Sequence, residues 1–182
     1  AASGAAGVDR AAHLRRELPH DPFALQRLQV HADSVVRDPQ HAGKVILTGR
    51  SSLAVGGTHL VVSNLVFRNG FASGDEVIAT RVGKRWSEHL RLTGIVVDRF
   101  SNPDRRFEDH WVALYGRDIR VDHSHFEGKA NAGAMLVVVR EGKMPLDNRV
   151  RLDHNYFGPR PVLGANGGET IRIGTSTESM SD

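Results

Sequence analysis

Four segments of this chain share one residue pattern at a nearly constant spacing. They begin at His59, His89, Asp118 and Arg149, so successive copies are 30, 29 and 31 residues apart. Within each copy apolar residues alternate with polar ones, which places the apolar side chains on one face of a β-strand. The matching apolar positions are Leu60, Leu90, Ile119 and Val150, then Val62, Leu92, Val121 and Leu152, and finally Phe67, Val97, Phe126 and Phe157. A fixed period of this length indicates stacked structural repeats.

Each copy also predicts a bend in the chain. A small or polar residue follows the alternating positions, and the next inward position comes three residues later rather than two. These bend residues are Asn64, Gly94, His123 and His154. Because this offset joins two strands through a tight bend, it is typical of one coil of a parallel β-helix, an all-β solenoid, rather than of a hairpin. Stacked Asn or His side chains at such a bend are expected to form a hydrogen-bonded ladder between coils.

Further strand-like segments lie between the four copies and supply a second strand for each coil. They are Glu76–Thr80, His110–Tyr115, Ala134–Val139 and Glu169–Ile173. Two loops with Gly, Asn-Pro and charged residues, Arg99–Asp109 and Glu141–Asn148, should project from one side of the solenoid. A β-sandwich of short strands is the alternative, but a sandwich does not explain one shared pattern at a constant step.

The two ends of the chain differ from the repeats. We expect two short helices, Ala11–Leu18 and Pro22–Val30, within a segment comprising residues 1–43, and β-helix coils over residues 44–182. The first segment is either a helical or irregular cap over the first coil or a leader foreign to the domain. At the other end no capping element follows the last strand, so we expect the chain to be the front part of a longer protein or to be covered there by another element.

Bulk properties exclude several classes of protein. The length of 182 residues favours one domain, and the net charge of +3 with ten His favours an anionic partner only weakly. The chain has no long Lys/Arg run and few aromatic residues, which argues against nucleic acid as the partner. It has no apolar run long enough for a membrane span, and without Cys it has neither a disulfide framework nor thiol catalysis.

The most specific stretch of the sequence resembles a known family. It runs from Asp153 to Ser176 and contains Asp-His-Asn-Tyr-Phe-Gly-Pro-Arg-Pro and Asn-Gly-Gly-Glu-Thr-Ile-Arg-Ile-Gly. Together with Asn102–Arg105, Trp111–Gly116 and His125–Lys129, it is similar to polysaccharide lyase family 6, which contains alginate lyases and chondroitinase B. These motifs resemble the alginate lyase branch of the family, and the resemblance covers residues 44–182.

The resemblance implies a fold, a reaction and a location. The fold is a right-handed parallel β-helix, in agreement with the repeat. The reaction is β-elimination on a uronic-acid polymer such as alginate, in a secreted or periplasmic protein, although the first residues lack the basic and apolar parts of a signal peptide. In this family Ca²⁺ typically neutralises the uronate carboxylate, a Lys is the usual base and an Arg the usual acid.

The resemblance also indicates which catalytic parts this chain has. Asn166, in the motif Asn-Gly-Gly-Glu, matches the calcium-ligating Asn of the family. The remaining ligands should be a Glu-x-Glu pair on the next coil, followed by the base Lys and then the acid Arg. No such motif follows Asn166, and Glu169 and Glu178 have the wrong setting. We therefore expect no catalytic residue in this chain and no turnover by the chain alone.

Four basic residues are candidates for binding the substrate. They are Arg172, Arg160, Arg140 and Lys129. Arg172 alternates with apolar neighbours and should point outward on the sheet that bears Asn166, where a guanidinium can bind a carboxylate through two hydrogen bonds. By contrast, we expect Trp111 to pack against a loop rather than to support a sugar.

Two other functions remain open at this stage. The first is cleavage of chondroitin or dermatan sulfate on the same scaffold, which would require more basic residues facing sulfate groups. The second is a β-helix that binds carbohydrate without cleaving it, such as a truncated or decayed lyase.

Overall fold

The described part of the chain consists entirely of strands and connections. In the computed structural model, it comprises the backbone of residues 15–16, 27–31 and 34–37, and all of residues 45–140, 147–160 and 168–174. The strands are β1 (Arg15–Arg16), β2 (Arg27–His31), β3 (Ser34–Arg37), β4 (Val45–Arg50), β5 (Ser52–Ser63), β6 (Leu65–Phe71), β7 (Glu76–Ala79), β8 (Arg81–Val82), β9 (Arg85–Thr93), β10 (Val96–Asp98), β11 (His110–Leu114), β12 (Gly116–Asp122), β13 (His125–Glu127), β14 (Leu136–Val138), β15 (Val150–Asp153), β16 (Tyr156–Phe157) and β17 (Ile171–Ile173). None of these residues is helical, so this part holds no helix that could cross a membrane.

The repeating strands pair in parallel with the register that the sequence predicts. Leu60 lies beside Leu90, Leu90 beside Ile119, and Ile119 beside Val150 along the row β5, β9, β12 and β15. Parallel pairing of strands about thirty residues apart is what a coil requires, and antiparallel hairpins would form in a sandwich instead. The predicted parallel β-helix is therefore confirmed.

Each coil closes through three strand rows. The long strand β5 pairs through its first half with β7 and through its second half with β9, so it turns a corner between two faces. β7, β11, β14 and β17 continue the first face, and β6, β10, β13 and β16 form the third. At the corresponding corner of β12, Gly116 has φ 98°, and a Cβ there would collide with the carbonyl oxygen of Ser87. Only glycine lets the two coils meet at this distance.

The interior of the coil is a stack of aligned apolar side chains. Phe67 pairs with Val97, Val97 with Phe126, and Phe126 with Phe157. The rings of Phe126 and Phe157 stack with centroids 5.3 Å apart, and Phe67 and Phe126 are at most 1% exposed. Burial of these side chains stabilises the stacked coils, because the free energy gained scales with the apolar area removed from water.

The predicted bend residues adopt left-handed backbone conformations. Asn64, Gly94, His123 and His154 have φ between 49° and 63°, a region that Gly, Asn and His enter more readily than β-branched residues. The rings of His123 and His154 stack in parallel, with centroids 4.9 Å apart. Their Nδ1 atoms contact the preceding aspartates, so the predicted histidine ladder consists of stacked rings, and its hydrogen bonds run to Asp rather than between histidines.

The N-terminal helices are not found, and this prediction is wrong for the described residues. Within the predicted Ala11–Leu18 and Pro22–Val30, the described residues form β1 and part of β2, which pair antiparallel with β5. β3 pairs antiparallel with β4. The first coil leaves a row of unpaired backbone N–H and C=O groups on β4 and β5. At Arg27–His31, pairing with that edge outweighs the local helical pattern.

Candidate functional site

The outer face of the row β7, β11, β14 and β17 is the candidate site. In the last pair of strands, Ile171 and Ile173 lie beside Leu136 and Val138 of the interior core. Arg172 lies beside Val137, which belongs to a separate apolar cluster on the opposite side of the sheet. This alternation places Arg172 on the outer face, as its spacing in the sequence suggests.

The apolar cluster beside Arg172 is closed rather than open. Its members are Ala79, Ala113, Tyr115, Val137 and Val139, with Ala54 and Trp86 packed against them. Arg81 lies over the Tyr115 ring at 4.0 Å, and the Tyr115 hydroxyl donates a hydrogen bond to Glu76. The cluster members are almost fully buried, and the charged side chains beside the cluster, including Arg81 and Arg172, are partly exposed.

Two residues from the neighbouring loop and strand hold Arg172. Its Nη1 donates to Oε1 of Glu108 at 3.2 Å, and its Nη2 donates to Nε2 of His110 at 2.9 Å. Since a guanidinium can only donate, His110 Nε2 must accept, and the imidazole proton resides on Nδ1, 3.4 Å from the Ala134 carbonyl oxygen. Burial, followed by the charge of Arg172, lowers the pKa of His110, which keeps this imidazole neutral at pH 7.

Arg160 is bound to backbone carbonyl groups. Its Nη2 donates to the Asn131 oxygen at 2.6 Å, and its Nη1 donates to the oxygens of Gly133 at 3.0 Å and Glu169 at 3.2 Å. These contacts tie the turn after β16 to the segments that precede β14 and β17. Arg160 therefore holds three chain segments together at one end of the site.

Lys129 is not on the surface, and its predicted place in a binding groove is corrected by the structure. The ammonium group is fully buried and donates to Asp109 Oδ1 at 2.6 Å, Asn131 Oδ1 at 3.0 Å and the Ala132 oxygen at 2.9 Å. A bound polymer has no access to a group that is enclosed on all sides. The turn signal after β13 suggested exposure, but the sequence gives no sign of a carboxylate twenty residues earlier.

The remaining predicted residues are only partly tested by the structure. Arg140 lies two residues after the end of β14 and is half-buried, whereas Asn166 lies outside the described residues. Within the described ranges, no group of three or more His, Asp or Glu side chains is arranged to hold a metal ion. Trp111 is fully buried and donates from Nε1 to the Phe100 oxygen at 2.7 Å, so it packs against the loop as expected.

A second charged region lies on the outer face of β9, β12 and β15. We call it the charge ladder: Arg91, Asp122, Arg120, Asp153 and Arg151. Asp122 contacts Arg91 at 2.8 Å and Arg120 at 2.6 Å, and Asp153 contacts Arg120 at 2.8 Å and Arg151 at 3.0 Å. Charges therefore alternate across three coils, and each aspartate is shared by two arginines.

Sequence reasoning missed the residues that support Arg172. For Glu108, Asp109 and His110 the sequence pattern predicts only the end of a loop and the start of a strand, and it gives no signal for Asn131. The one available signal is the local Glu-Asp-His sequence at the start of a strand, where polar side chains of successive coils come together. Their partners are distant in sequence, so only the fold brings them into contact.

Comparisons with known proteins place this β-helix among the polysaccharide lyases. The family model described as Chondroitinase B matches residues 26–182. The structure of the PL6 family alginate lyase AlyGC is 50% identical, with a TM-score of 0.72, over 75% of this chain and 19% of that chain. A mannuronic acid specific polysaccharide family 6 lyase from human gut microbiota is 33% identical, with a TM-score of 0.69, over 74% of this chain and 31% of that chain.

These matches establish the family. The chain belongs to the Chondroitinase B family, polysaccharide lyase family 6, and it spans about one fifth to one third of the length of the two solved lyases. The PL6 family polysaccharide lyase Pedsa3628 from Pseudopedobacter saltans, at 24% identity and a TM-score of 0.62, shares the fold. No protein with curated annotation matches the sequence.

Proposed function

We propose that this chain supplies the front coils and part of the substrate groove of an alginate lyase. The observation that carries the proposal is Arg172, which lies on the outer sheet face, follows the Asn-Gly-Gly-Glu motif by three residues in the sequence and is oriented by a neutral His110. Identity of 50% to an alginate lyase supports alginate as the polymer. Secretion or export to the periplasm follows as part of the same proposal, because a cell-external polymer is the substrate.

The reaction is β-elimination, which needs three groups acting on one uronate. A base removes the C5 proton, the C4–O4 bond breaks as a C4–C5 double bond forms, and an acid protonates the departing O4. Removal of the C5 proton requires that the neighbouring carboxylate be neutralised. In our proposal Arg172 binds a uronate carboxylate in the groove, and Arg140 adds positive charge beyond the end of β14. Arg160 contributes by holding the adjacent loops.

Calcium is part of the proposal through a single residue of this chain. The side-chain oxygen of Asn166 is a suitable ligand for a hard cation, and a bound Ca²⁺ would neutralise the substrate carboxylate as a Lewis acid. Ca²⁺ takes about 6–8 oxygen ligands, so one Asn does not make a site. The other ligands, the base and the acid are expected on coils other than those formed by residues 44–182, and the chain alone should not cleave alginate.

Binding of alginate oligosaccharides by the chain tests the role of Arg172. Titration calorimetry of the Arg172→Ala variant should show at least a tenfold loss of affinity, since a charge-assisted pair of this kind contributes on the order of 1.4 kcal/mol or more. Arg151→Ala is the matched control, because Arg151 is also ion-paired but lies on another face of the coil. Equal affinity of the Arg172→Ala variant and the unsubstituted chain would refute this role.

An absorbance assay separates binding from cleavage. Elimination produces an unsaturated uronate that absorbs ultraviolet light, and we expect no such signal from this chain with alginate and Ca²⁺. Robust turnover would show that the chain contains its own base and acid. Dermatan and chondroitin sulfate are included in both assays, because the matching family model is described as Chondroitinase B. A preference for the sulfated polymers would replace alginate as the proposed substrate.

A further inference from the structure

A fully buried ion pair lies beneath the arginines of the candidate site. Lys129 and Asp109 are both 0% exposed, and Asn131 is 1% exposed. The Lys129 ammonium uses its three N–H groups on Asp109, Asn131 and the Ala132 oxygen, at 2.6, 3.0 and 2.9 Å. We call Lys129, Asp109 and Asn131 the buried node.

Stability alone does not account for such a pair. Removing two charges from water costs several kcal/mol per ion, and replacing a buried pair with apolar side chains is often neutral or stabilising. The second carboxylate oxygen of Asp109, Oδ2, has no hydrogen-bond partner among the described residues. Burial raises the pKa of Asp109 and lowers the pKa of Lys129, so both charges are held at a cost. A polar group kept at a cost in the interior suggests a role in geometry.

The node is directly connected to both arginines that the site presents. Asp109 lies in the chain between Glu108 and His110, which are the two residues that contact Arg172. Its backbone N–H donates to the Ala132 oxygen at 3.2 Å, which joins the two loops.

The other loop carries the acceptors of Arg160. They are the backbone oxygens of Asn131 and Gly133, at 2.6 and 3.0 Å. Gly133 has φ 94°, and a Cβ on it would collide with the Asp109 carbonyl oxygen, so the approach of the two loops requires glycine. The four groups that contact Arg172 and Arg160 from these two loops as named above, on Glu108, His110, Asn131 and Gly133, thus each lie within two residues of a member of the node.

We propose that the buried node is a positioning element that sets the geometry of Arg172 and Arg160 on the outer sheet face. Lys129 is then a positioning residue and not a ligand of the polymer. The proposal rests on the proposed function in one respect, namely that Arg172 binds a uronate carboxylate. The geometric part, from the node to His110 and Arg172, stands on the contacts alone.

The test replaces the pair by apolar residues without leaving a lone buried charge. In the double variant Asp109→Leu/Lys129→Met, the imidazole nitrogen chemical shifts of His110 report its tautomer and its bond to Arg172. We expect those shifts to change and the affinity for alginate oligosaccharides to fall about tenfold, while circular dichroism and urea unfolding show an intact fold. A matched control, Arg120→Met/Asp122→Leu, removes an Arg–Asp ion pair of the same length on a different face and should leave His110 unchanged.

The outcomes separate this inference from the proposed function. Unchanged His110 shifts in a folded double variant would overturn the inference, because the node would then serve only the fold. Changed His110 shifts together with full affinity for alginate in the Arg172→Ala variant would support the node and overturn the function assigned to Arg172. If the double variant does not fold, Asn131→Ala removes one acceptor of Lys129 without removing a charge. The same shifts in that variant then decide the question.

Discussion

The charge ladder and the buried node each contain a short ion pair, but the cation is partly exposed to solvent in the ladder and fully buried in the node. The Arg120–Asp122 and Lys129–Asp109 distances are both 2.6 Å. In the ladder Asp122 is fully buried but the Arg120 side chain is 35% exposed, whereas in the node both side chains are fully buried. The pKa of Asp122 falls to about 2, because hydrogen bonds led by that from Arg91 outweigh burial. In the node, burial dominates and raises the pKa of Asp109.

Access of solvent, rather than the distance between the charges, decides how much an ion pair contributes to stability. Exposed pairs are screened by water and typically contribute 0–1 kcal/mol each. A buried pair attracts more strongly, but it must first offset the desolvation of both ions. Each pair of the ladder should therefore add a small and separate amount to the free energy of unfolding. Removing either charge of the node should instead cost the stabilisation of the whole pair.

Breaking the node by one substitution should have the largest effect. Lys129→Met leaves the Asp109 carboxylate buried without its counter-ion, and we expect a loss of about 3–5 kcal/mol in the free energy of unfolding. Urea unfolding followed by circular dichroism measures it. The Asp109→Leu/Lys129→Met double variant should recover most of that loss. If the single and double variants were equally unstable, packing rather than the unpaired charge would be the cause.

Breaking the centre of the ladder should cost less. Asp122→Asn removes the carboxylate shared by Arg91 and Arg120, both of which can return to water, so we expect a loss of about 1 kcal/mol. The folded-state pKa of Asp122 is lowered, so its stabilisation is present above about pH 4 and is lost as pH falls toward 2. Acid titration of urea midpoints should show less loss over this range in the variant. An identical acid profile in both proteins would contradict the prediction.

The titration of His110 should give a weaker dependence of stability on pH than that of Asp122. Its pKa is lowered by burial and by Arg172, so below about pH 6.5 the unfolded chain binds more protons than the folded one. Stability should therefore decrease as pH falls from 7 toward 5. His110→Gln keeps an acceptor for Arg172 but does not titrate, and its urea midpoint should change less over that interval. A steeper slope in the variant would mean that other groups control this range.

The end of the ladder should contribute least. Arg151 is 68% exposed and bonds only to the shared Asp153 among the described contacts, so Arg151→Ala should change the free energy of unfolding by less than about 0.5 kcal/mol. Added salt should reduce even this difference, because exposed charges are screened. Thermal unfolding at low and high ionic strength provides the measurement. A loss above 1 kcal/mol would show that the ladder acts cooperatively.

Much of the fold could be predicted because it follows from the regular spacing of apolar residues along the sequence. Leu60, Leu90 and Ile119 share a register in the structure because each must face the interior of the coil, and a shift by one residue would expose it. The prediction for the N-terminal segment was wrong because its structure depends on contacts distant in sequence. Its structure at Arg27–His31 depends on an edge provided by β5, which no local pattern reveals.

The candidate site could be predicted only where the alternation of inward and outward side chains along a strand determines a residue's position. Arg172 faces outward because its neighbours face inward, and this follows from a period of two residues. The burial of Lys129 could not be inferred, since its partner Asp109 is twenty residues away and reaches it through two irregular loops. The conformation of these loops depends on individual hydrogen bonds that follow no repeating sequence pattern, such as the bond from Ala130 N–H to Ser101 Oγ.

The close approach at Gly116 has a consequence for how such chains can vary in length. At that corner the backbone of one coil rests on the backbone of the next, so the vertical pitch of the solenoid is fixed by main-chain contact. An inserted residue there would have to displace every later coil. Natural insertions and deletions should therefore accumulate in the connection 99–109 and avoid the corner. Positions where related proteins do not differ in length would then indicate where the spacing between coils is fixed by backbone contact.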